Sequence, residues 1–241
     1  IQGTLFFEIA RILEYQRPDA FLLENVKNLF SHDKGQTFKT ILDVLKNKLG
    51  YKVQYRLINA KSYVPQNRQR IYIVGFREEN NFNFDDLIIP DISDGPILSS
   101  VLHPEDGSET FEEPYTIPHL SKVNEKYTIT NKLWNYLRIY EKKHKAKGNG
   151  FGFGLCKRED VARTLSARYH KDGAEILIYQ GDEKNPRRLT PRECLRLMGF
   201  DKSGESNFKI PVSDCQAYRQ FGNSVVVPVI KQIAKAMNEY I

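Results

Sequence analysis

Apolar positions recur at helical spacing near the start of the chain: Leu5, Phe6, Ile9, Ile12 and Leu13 predict an amphipathic helix over residues 4 to about 15, stopped by Pro18. Ala20-Phe21-Leu22-Leu23 is a short continuous apolar run, which predicts a strand buried on both faces. Phe38, Ile41, Leu42, Leu45 and Leu49 mark a second helix, with Gly50 placed to end it. Residues 51–58 and 70–76, rich in β-branched and aromatic side chains, predict two further strands. Helix, buried strand, helix, strand is the signature of an α/β fold.

The pattern changes after Phe76. Residues 77 to about 120 carry Asn, Asp and Pro punctuation with little periodicity and predict loops and a linker. Residues 131 to 147 predict a helix ending in the basic run Lys142, Lys143, His144, Lys145 and Lys147. The stretch 148–154, alternating Gly with Phe, predicts a flexible aromatic loop; it lacks the GxGxxG spacing of a dinucleotide fingerprint. Thr190-Pro191-Arg192-Glu193 is a helix start: Thr190 caps, Pro191 takes the first position, Glu193 closes a capping box, and Gly199 is placed to end the helix. A last helix is predicted from about Val225, with Val226, Val229, Ile230, Ile233 and Met237 on one face and Pro228 within its first turn.

Composition narrows the class. The 241 residues suffice for one large domain, or a domain and a smaller lobe, and 40% apolar with 27% charged residues is a globular balance. No apolar run approaches the roughly 18 residues of a membrane span. Ile1-Gln2-Gly3 shows neither the charged nor the apolar region of a secretory signal, so membrane and secreted proteins are excluded. Cys156, Cys194 and Cys215 lie far apart with no CxxC pair, so neither a disulfide framework nor a zinc site of usual spacing is expected. The expectation is a cytoplasmic protein without a metal. A net charge of +6 leans toward a polyanionic partner.

Several constellations carry chemistry. Glu24-Asn25 directly follows the buried strand; in open α/β sheets ligands bind at the carboxyl ends of strands, so Glu24 is either a crevice acid or a surface carboxylate. Gln66, Arg68 and Arg70 lead into a strand. If that strand has begun, period two places the two guanidiniums on one face, where a carboxylate between them would relieve their repulsion. Arg163, Arg168, His170 and Lys171 cluster beside Tyr169, a mixture suited to DNA but also to any charged loop. Thr164-Leu165-Ser166 reads as strand-like and Asp172-Gly173 as a turn, which presents Arg168 to Lys171 on a loop. Gly222-Asn223-Ser224 is an ordinary turn and cap, or a polar helix N-terminus able to hold a ligand.

The order of these motifs is more specific than any one of them. Glu24-Asn25-Val26, then Gln66-x-Arg68-x-Arg70, then Arg188 to Glu193, then Gln220 to Val225 resemble the C-terminal motif series of C5-cytosine DNA methyltransferases. Gly3-Thr4-Leu5-Phe6 resembles the segment after that family's catalytic loop. Arg163 to Glu175 resembles the target-recognition region of Dcm-type members, bacterial enzymes that methylate the inner cytosine of CCWGG.

The resemblance implies a Rossmann-like methyltransferase sheet and a smaller, loop-rich target-recognition domain. It implies catalytic-domain residues 1–98, a target-recognition domain 99–185, a hinge and recognition-lobe segment 186–222, and a helix 223–241 returning to the catalytic domain. It implies double-stranded DNA as partner and S-adenosylmethionine as cofactor, with the target cytosine flipped into a pocket. Glu24 matches the family's cytosine-binding glutamate, Arg70 the residue that holds the cytosine O2 and orients that glutamate, and Arg68 its neighbour. Asn223 and Ser224 match cofactor-lining positions; Thr164 matches the start of a DNA-contacting loop, with Gln66, Arg168, Tyr169, His170 and Lys171 as further DNA-binding residues. The family's Pro-Cys-Gln nucleophile motif and its glycine-rich first motif do not occur in these residues, and Cys215-Gln216 stands too late in the order to replace the former. The expectation is therefore the C-terminal part of such an enzyme. It would be inactive alone, either as a fragment, which the Ile1 start favours, or as one subunit completed by an N-terminal segment or complementary chain. The alternative is a non-catalytic sequence-specific DNA-binding module or the specificity subunit of a split methyltransferase. Base-pocket groups such as Glu24, Arg68 and Arg70 favour the enzyme.

Overall fold

The computed structural model describes residues 4–150 and 152–241; Gly3 of the Gly3–Phe6 segment and Phe151 of the glycine–phenylalanine stretch lie outside the described residues. In chain order the elements are α1 (Thr4–Gln16), β1 (Ala20–Val26), α2 (Gln36–Asp43), β2 (Lys52–Asn59), β3 (Gln69–Phe76), α3 (Asn131–Lys145), β4 (Leu155–Cys156), β5 (Leu177–Ile178), β6 (Arg187–Arg188), α4 (Pro191–Leu197), α5 (Asp214–Asn223) and α6 (Val227–Met237). Two compact units result, one of Ile1–Asn59, Gln69–Ile89 and Val229–Ile241, the other of Ala60–Arg68 and Pro90–Pro228.

The first unit is a mixed sheet in the order β1-β3-β2. β3 is antiparallel to both neighbours, so β1 and β2 run parallel, joined by the crossover through α2. α2 continues as a π-helical turn over Val44–Lys48. Phe38, Ile41 and Leu45 from this stretch pack with Leu13 of α1, Phe21 of β1 and Ile71 and Ile73 of β3. The strand buried on both faces is β3, whose residues from Ile71 to Phe76 are all buried, and not β1 as its apolar run suggested. β1 has one neighbour among the described strands, β3 has two, and Leu22 and Leu23 are left half-buried. Of the stripe predicted for α1, Leu13 is buried while Leu5, Ile9 and Ile12 are exposed.

The stretch after Phe76 is irregular, as expected, and the chain passes from the first unit to the second within it, at Ile89–Pro90, but its first part is packed. Phe82 lies 5.3 Å from the Phe76 ring and 5.9 Å from Tyr240, and Phe82, Phe84 and Leu87 are all buried. Burying three such side chains removes enough apolar surface to order a segment that has no hydrogen-bonded ladder.

The second unit holds a small sheet of two-residue strands in the order β4-β5-β6, with α3 seated on it through Leu137 against Ile129 and Leu177. The capping box forms: the Thr190 hydroxyl accepts from the Glu193 N–H at 3.1 Å, and the Glu193 carboxylate accepts from the Thr190 N–H at 2.8 Å. Gly50 and Gly199 end their helices in the left-handed region. α4 is buried on every side, which periodicity alone did not foretell. Its charged residues are satisfied internally: Glu193 takes both Arg187 Nη atoms at 2.8 and 2.9 Å, and Arg192 donates to Glu112 and Asp201. α5 was not anticipated from the sequence. Ser213 caps it, and its buried residues Ala217, Tyr218 and Phe221 were a recoverable signal at helical spacing.

Candidate functional site

In the first unit β1 and β3 bring Glu24 and Arg70 together. Val26 is the register partner of Arg70 and Glu24 that of Tyr72, so the two side chains are diagonal neighbours across the ladder. Arg70 Nε lies 3.0 Å from Glu24 Oε1, with the side chains 13% and 22% exposed, and Arg70 Nη1 donates to the Gln69 carbonyl at 2.9 Å. A guanidinium held at one nitrogen by its own strand and at another by a carboxylate has little rotational freedom. Glu24 borders a cavity of about 520 Å³ whose lining includes Leu5, Phe6, Leu23, Asn25 and Ile41. An orienting ion pair beside a mostly apolar cavity is the usual grammar of a small-ligand site.

In the second unit Gln66 and Arg68 serve as ties. Gln66 is fully buried; its carbonyl accepts from Leu165 N at 2.8 Å and its amide donates to the Leu197 carbonyl at 3.3 Å. A side chain so placed has no surface to offer a duplex, which corrects its expected DNA contact. Arg68 donates to the carbonyls of Leu165 at 2.8 Å, Gly222 at 3.2 Å and Ser224 at 2.9 Å. β3 begins at Gln69, so Arg68 precedes the strand and the condition for the period-two pairing with Arg70 is not met.

Thr164 donates to the Asn67 carbonyl at 2.7 Å, joining the same loop. Asn223 and Ser224 do not begin a helix: Asn223 is the last residue of α5 and Ser224 its C-cap, so the ligand-holding helix N-terminus is corrected to a C-terminal turn. Asn223 is exposed, while the Ser224 hydroxyl donates to the Phe221 carbonyl at 2.8 Å. α5 approaches the 166–167 backbone closely. A Cβ on Gly222 would lie 2.3 Å from the Ser166 carbonyl carbon and 2.4 Å from Ala167 N. Gly222→Ala is expected to destabilise the protein by about 1–3 kcal/mol, since backbone must shift to relieve the overlap. Thermal unfolding of the variant measures this, and an unchanged midpoint would refute the close approach.

The segment Arg168–Lys171 was expected to present four side chains, and it presents fewer. Ala167–His170 is a 3-10 turn capped by the Ser166 hydroxyl. Arg168 and Lys171 are exposed. Tyr169 is fully buried: its hydroxyl donates to the Ile176 carbonyl at 2.7 Å and accepts from Leu189 N at 2.8 Å. Burial pushes its phenol well above the ordinary range. His170 is half-buried, with Nδ1 2.8 Å from the Ala167 carbonyl and Nε2 3.3 Å from Arg219 Nη2. Among the described residues no cluster of three His, Cys, Asp or Glu side chains could hold a metal ion, and no helix is long and apolar enough to cross a membrane.

The architecture defines a class first. The backbone superposes on the S. pombe Dnmt2 methyltransferase with a TM-score of 0.67 over 97% of this chain and 70% of that one, at 20% identity, so the two share the mixed α/β methyltransferase fold. The family follows from the sequence: residues 1–239 match the model of the C-5 cytosine-specific DNA methylases, and the chain belongs to that family. It is 46% identical over 268 residues to the DNA-cytosine methyltransferase of Escherichia coli K12, covering 98% of this chain and 53% of the relative. It is 48% identical over 246 residues to the type II methyltransferase M.DsaV of Dactylococcopsis salina, covering 100% and 62%. The chain thus spans little more than half the length of these relatives.

Proposed function

We propose that this chain is the C-terminal part of a DNA (cytosine-5-)-methyltransferase that acts on a flipped cytosine within a CCWGG-like site. The observation that carries the reading is the Glu24–Arg70 pair, a carboxylate at the border of a cavity held by a guanidinium on the adjacent strand. A cytosine ring presents N3 and O2 side by side, and a carboxyl beside a guanidinium complements that edge. C5 and C6 are unreachable inside the base stack, so the base must leave the duplex to enter the pocket. Attack of a thiolate at C6 places negative charge on the ring, and hydrogen bonding from Glu24 at N3 disperses it. Arg70 holds O2 and keeps Glu24 in register. The thiolate would come from a Pro-Cys-Gln motif in a segment that these residues do not include.

S-adenosylmethionine supplies the methyl group when bound. Of the two positions matched to its site, Asn223 offers an exposed amide. Ser224 fixes the turn, through its hydroxyl on Phe221 and its carbonyl on Arg68. Arg168, exposed on its turn, is the residue proposed to read a base edge, as Arg commonly reads guanine O6 and N7. Thr164, His170 and Lys171 support that turn or contact phosphate.

The test compares two polypeptides with labelled S-adenosylmethionine and duplex DNA. The complete polypeptide, with the segment bearing the nucleophile, is expected to label cytosine C5. The 241 residues alone are expected to label nothing, because no other residue replaces the attacking thiolate. Label transferred by the 241 residues, or none by the complete polypeptide, overturns the reading.

A further inference from the structure

Helix α3 and the two residues after it hold most of the net charge of the chain. Between Lys132 and Lys147 stand six cations, Lys132, Arg138, Lys142, Lys143, Lys145 and Lys147, against the single carboxylate Glu141. That is +5 in sixteen residues, out of +6 for all 241. Among the described residues Lys145 alone of the six has an ion-pair partner, Glu141 at 3.2 Å. Lys132, Arg138, Lys142, Lys143 and Lys147 are all exposed.

The helix itself does not need this arrangement. A macrodipole favours acids in the first turn and bases in the last. α3 has the basic last turn but no acid in its first, where Lys132 stands against the dipole. Arg138 with Lys142, four apart, and Lys142 with Lys145, three apart, are like-charge neighbours that destabilise a helix. The inner side is fixed by Leu133, Trp134 and Leu137 against Ile129, Ala174 and Leu177. On the outer side Ile139 is 67% and Tyr136 55% exposed among the lysines. Ala174 lies three residues past Lys171, so α3 is seated on the segment that carries the exposed Arg168 turn.

We propose that α3 is a second DNA-contact surface, gripping phosphates that flank the bases read by the Arg168 turn. This rests on the reading of the protein as acting on duplex DNA. Lysine ammonium groups are point charges that replace condensed counterions along a duplex. The Tyr136 hydroxyl donates to a phosphate oxygen and Ile139 packs on sugar, contacts that position without reading sequence. Lys132 and Lys143 stand roughly 16 Å apart along the axis at 1.5 Å per residue. That separation reaches both phosphate walls of a groove about 12 Å wide.

The experiment measures binding of the complete protein to a duplex of about 30 base pairs centred on the site, and to one trimmed flush to it, across a salt series. Lys132→Gln/Lys142→Gln/Lys143→Gln is expected to weaken binding to the long duplex on the order of tenfold at low salt and to make the salt slope shallower by about three. The ranking of single-base site variants should stay the same, Lys→Arg at the three positions should restore affinity, and the trimmed duplex should show little difference. Should the triple variant melt early, Lys143→Glu alone must still lower the slope, by at least one. Equal slopes for wild type and variants, or a loss confined to particular bases, overturn the proposal. A wild type that methylates normally beside an unaffected variant sinks this surface alone; a wild type with no duplex binding sinks the functional reading as well.

Discussion

In the complete polypeptide, Glu24→Gln is expected to lower the turnover of methyl transfer by about 10²-fold or more, the usual scale of a positioned acid–base group. The substitution keeps an oxygen in place for Arg70 Nε, now 3.0 Å away, so the strand pairing and the cavity wall should survive. It removes the charge and the carboxyl proton site that would meet the cytosine N3. The loss therefore belongs in kcat, with DNA affinity little changed. Arg70→Ala should lower turnover too, and for a different reason. It removes the guanidinium that anchors Glu24, and the Gln69 carbonyl loses a donor at the same stroke. Single-turnover methylation beside duplex binding separates the two effects. Unchanged turnover in Glu24→Gln would remove this carboxylate from the mechanism.

How much of this was legible in the sequence depends on what each signal reports. Apolar spacing reported α1, α2 and α6 as helices, although most of the α1 stripe is exposed, and apolar, β-branched and aromatic runs reported all three strands of the first sheet. The burial of β1 was misjudged, because an apolar run states that a strand is apolar and not how many neighbours it has. Glu24 and Arg70 were legible as candidates, and their contact required the antiparallel register of β1 and β3, which places residues 46 apart in sequence side by side. Gln66 and Tyr169 show the opposite limit. Each looked like a polar residue beside basic ones, yet each is at 0% exposure with its polar atoms bonded inside the second unit. Composition cannot distinguish a polar group aimed at DNA from one that satisfies buried backbone. Thr190 and Glu193 were read as a capping box, which they form; that the same glutamate anchors an ionic core could not be seen from local spacing.

That glutamate carries the largest expected effect on stability. Glu193 is fully buried and accepts four hydrogen bonds, two from Arg187, one from His103 N at 3.0 Å and one from Thr190 N. Burial alone would raise its carboxyl; the Arg187 guanidinium, helped by His103 and the Thr190 N–H, outweighs burial and holds it at about 2, below its ordinary 4.5. Removing one partner of such a pair leaves the other charge without compensation in a dry interior. Glu193→Ala is therefore expected to cost about 3–5 kcal/mol, the range for a broken buried pair. Arg187→Met/Glu193→Leu, which removes both charges, should cost less than Glu193→Ala, and the difference measures how much of the loss is an orphaned guanidinium.

Glu109 adds a second arm with the same sign. It too is held at about 2: burial opposes this, and His103 at 2.8 Å together with Arg196 overcomes it. A carboxyl depressed by folding contributes stability that is complete above its unfolded value near 4.5 and fades as pH falls toward 2. Denaturant unfolding between pH 6 and pH 3 should thus show the wild type losing stability on acidification more steeply than Glu193→Ala, which has already lost one of the two carboxylates. Parallel pH profiles for the two proteins would mean that Glu193 does not bear its charge in the folded core.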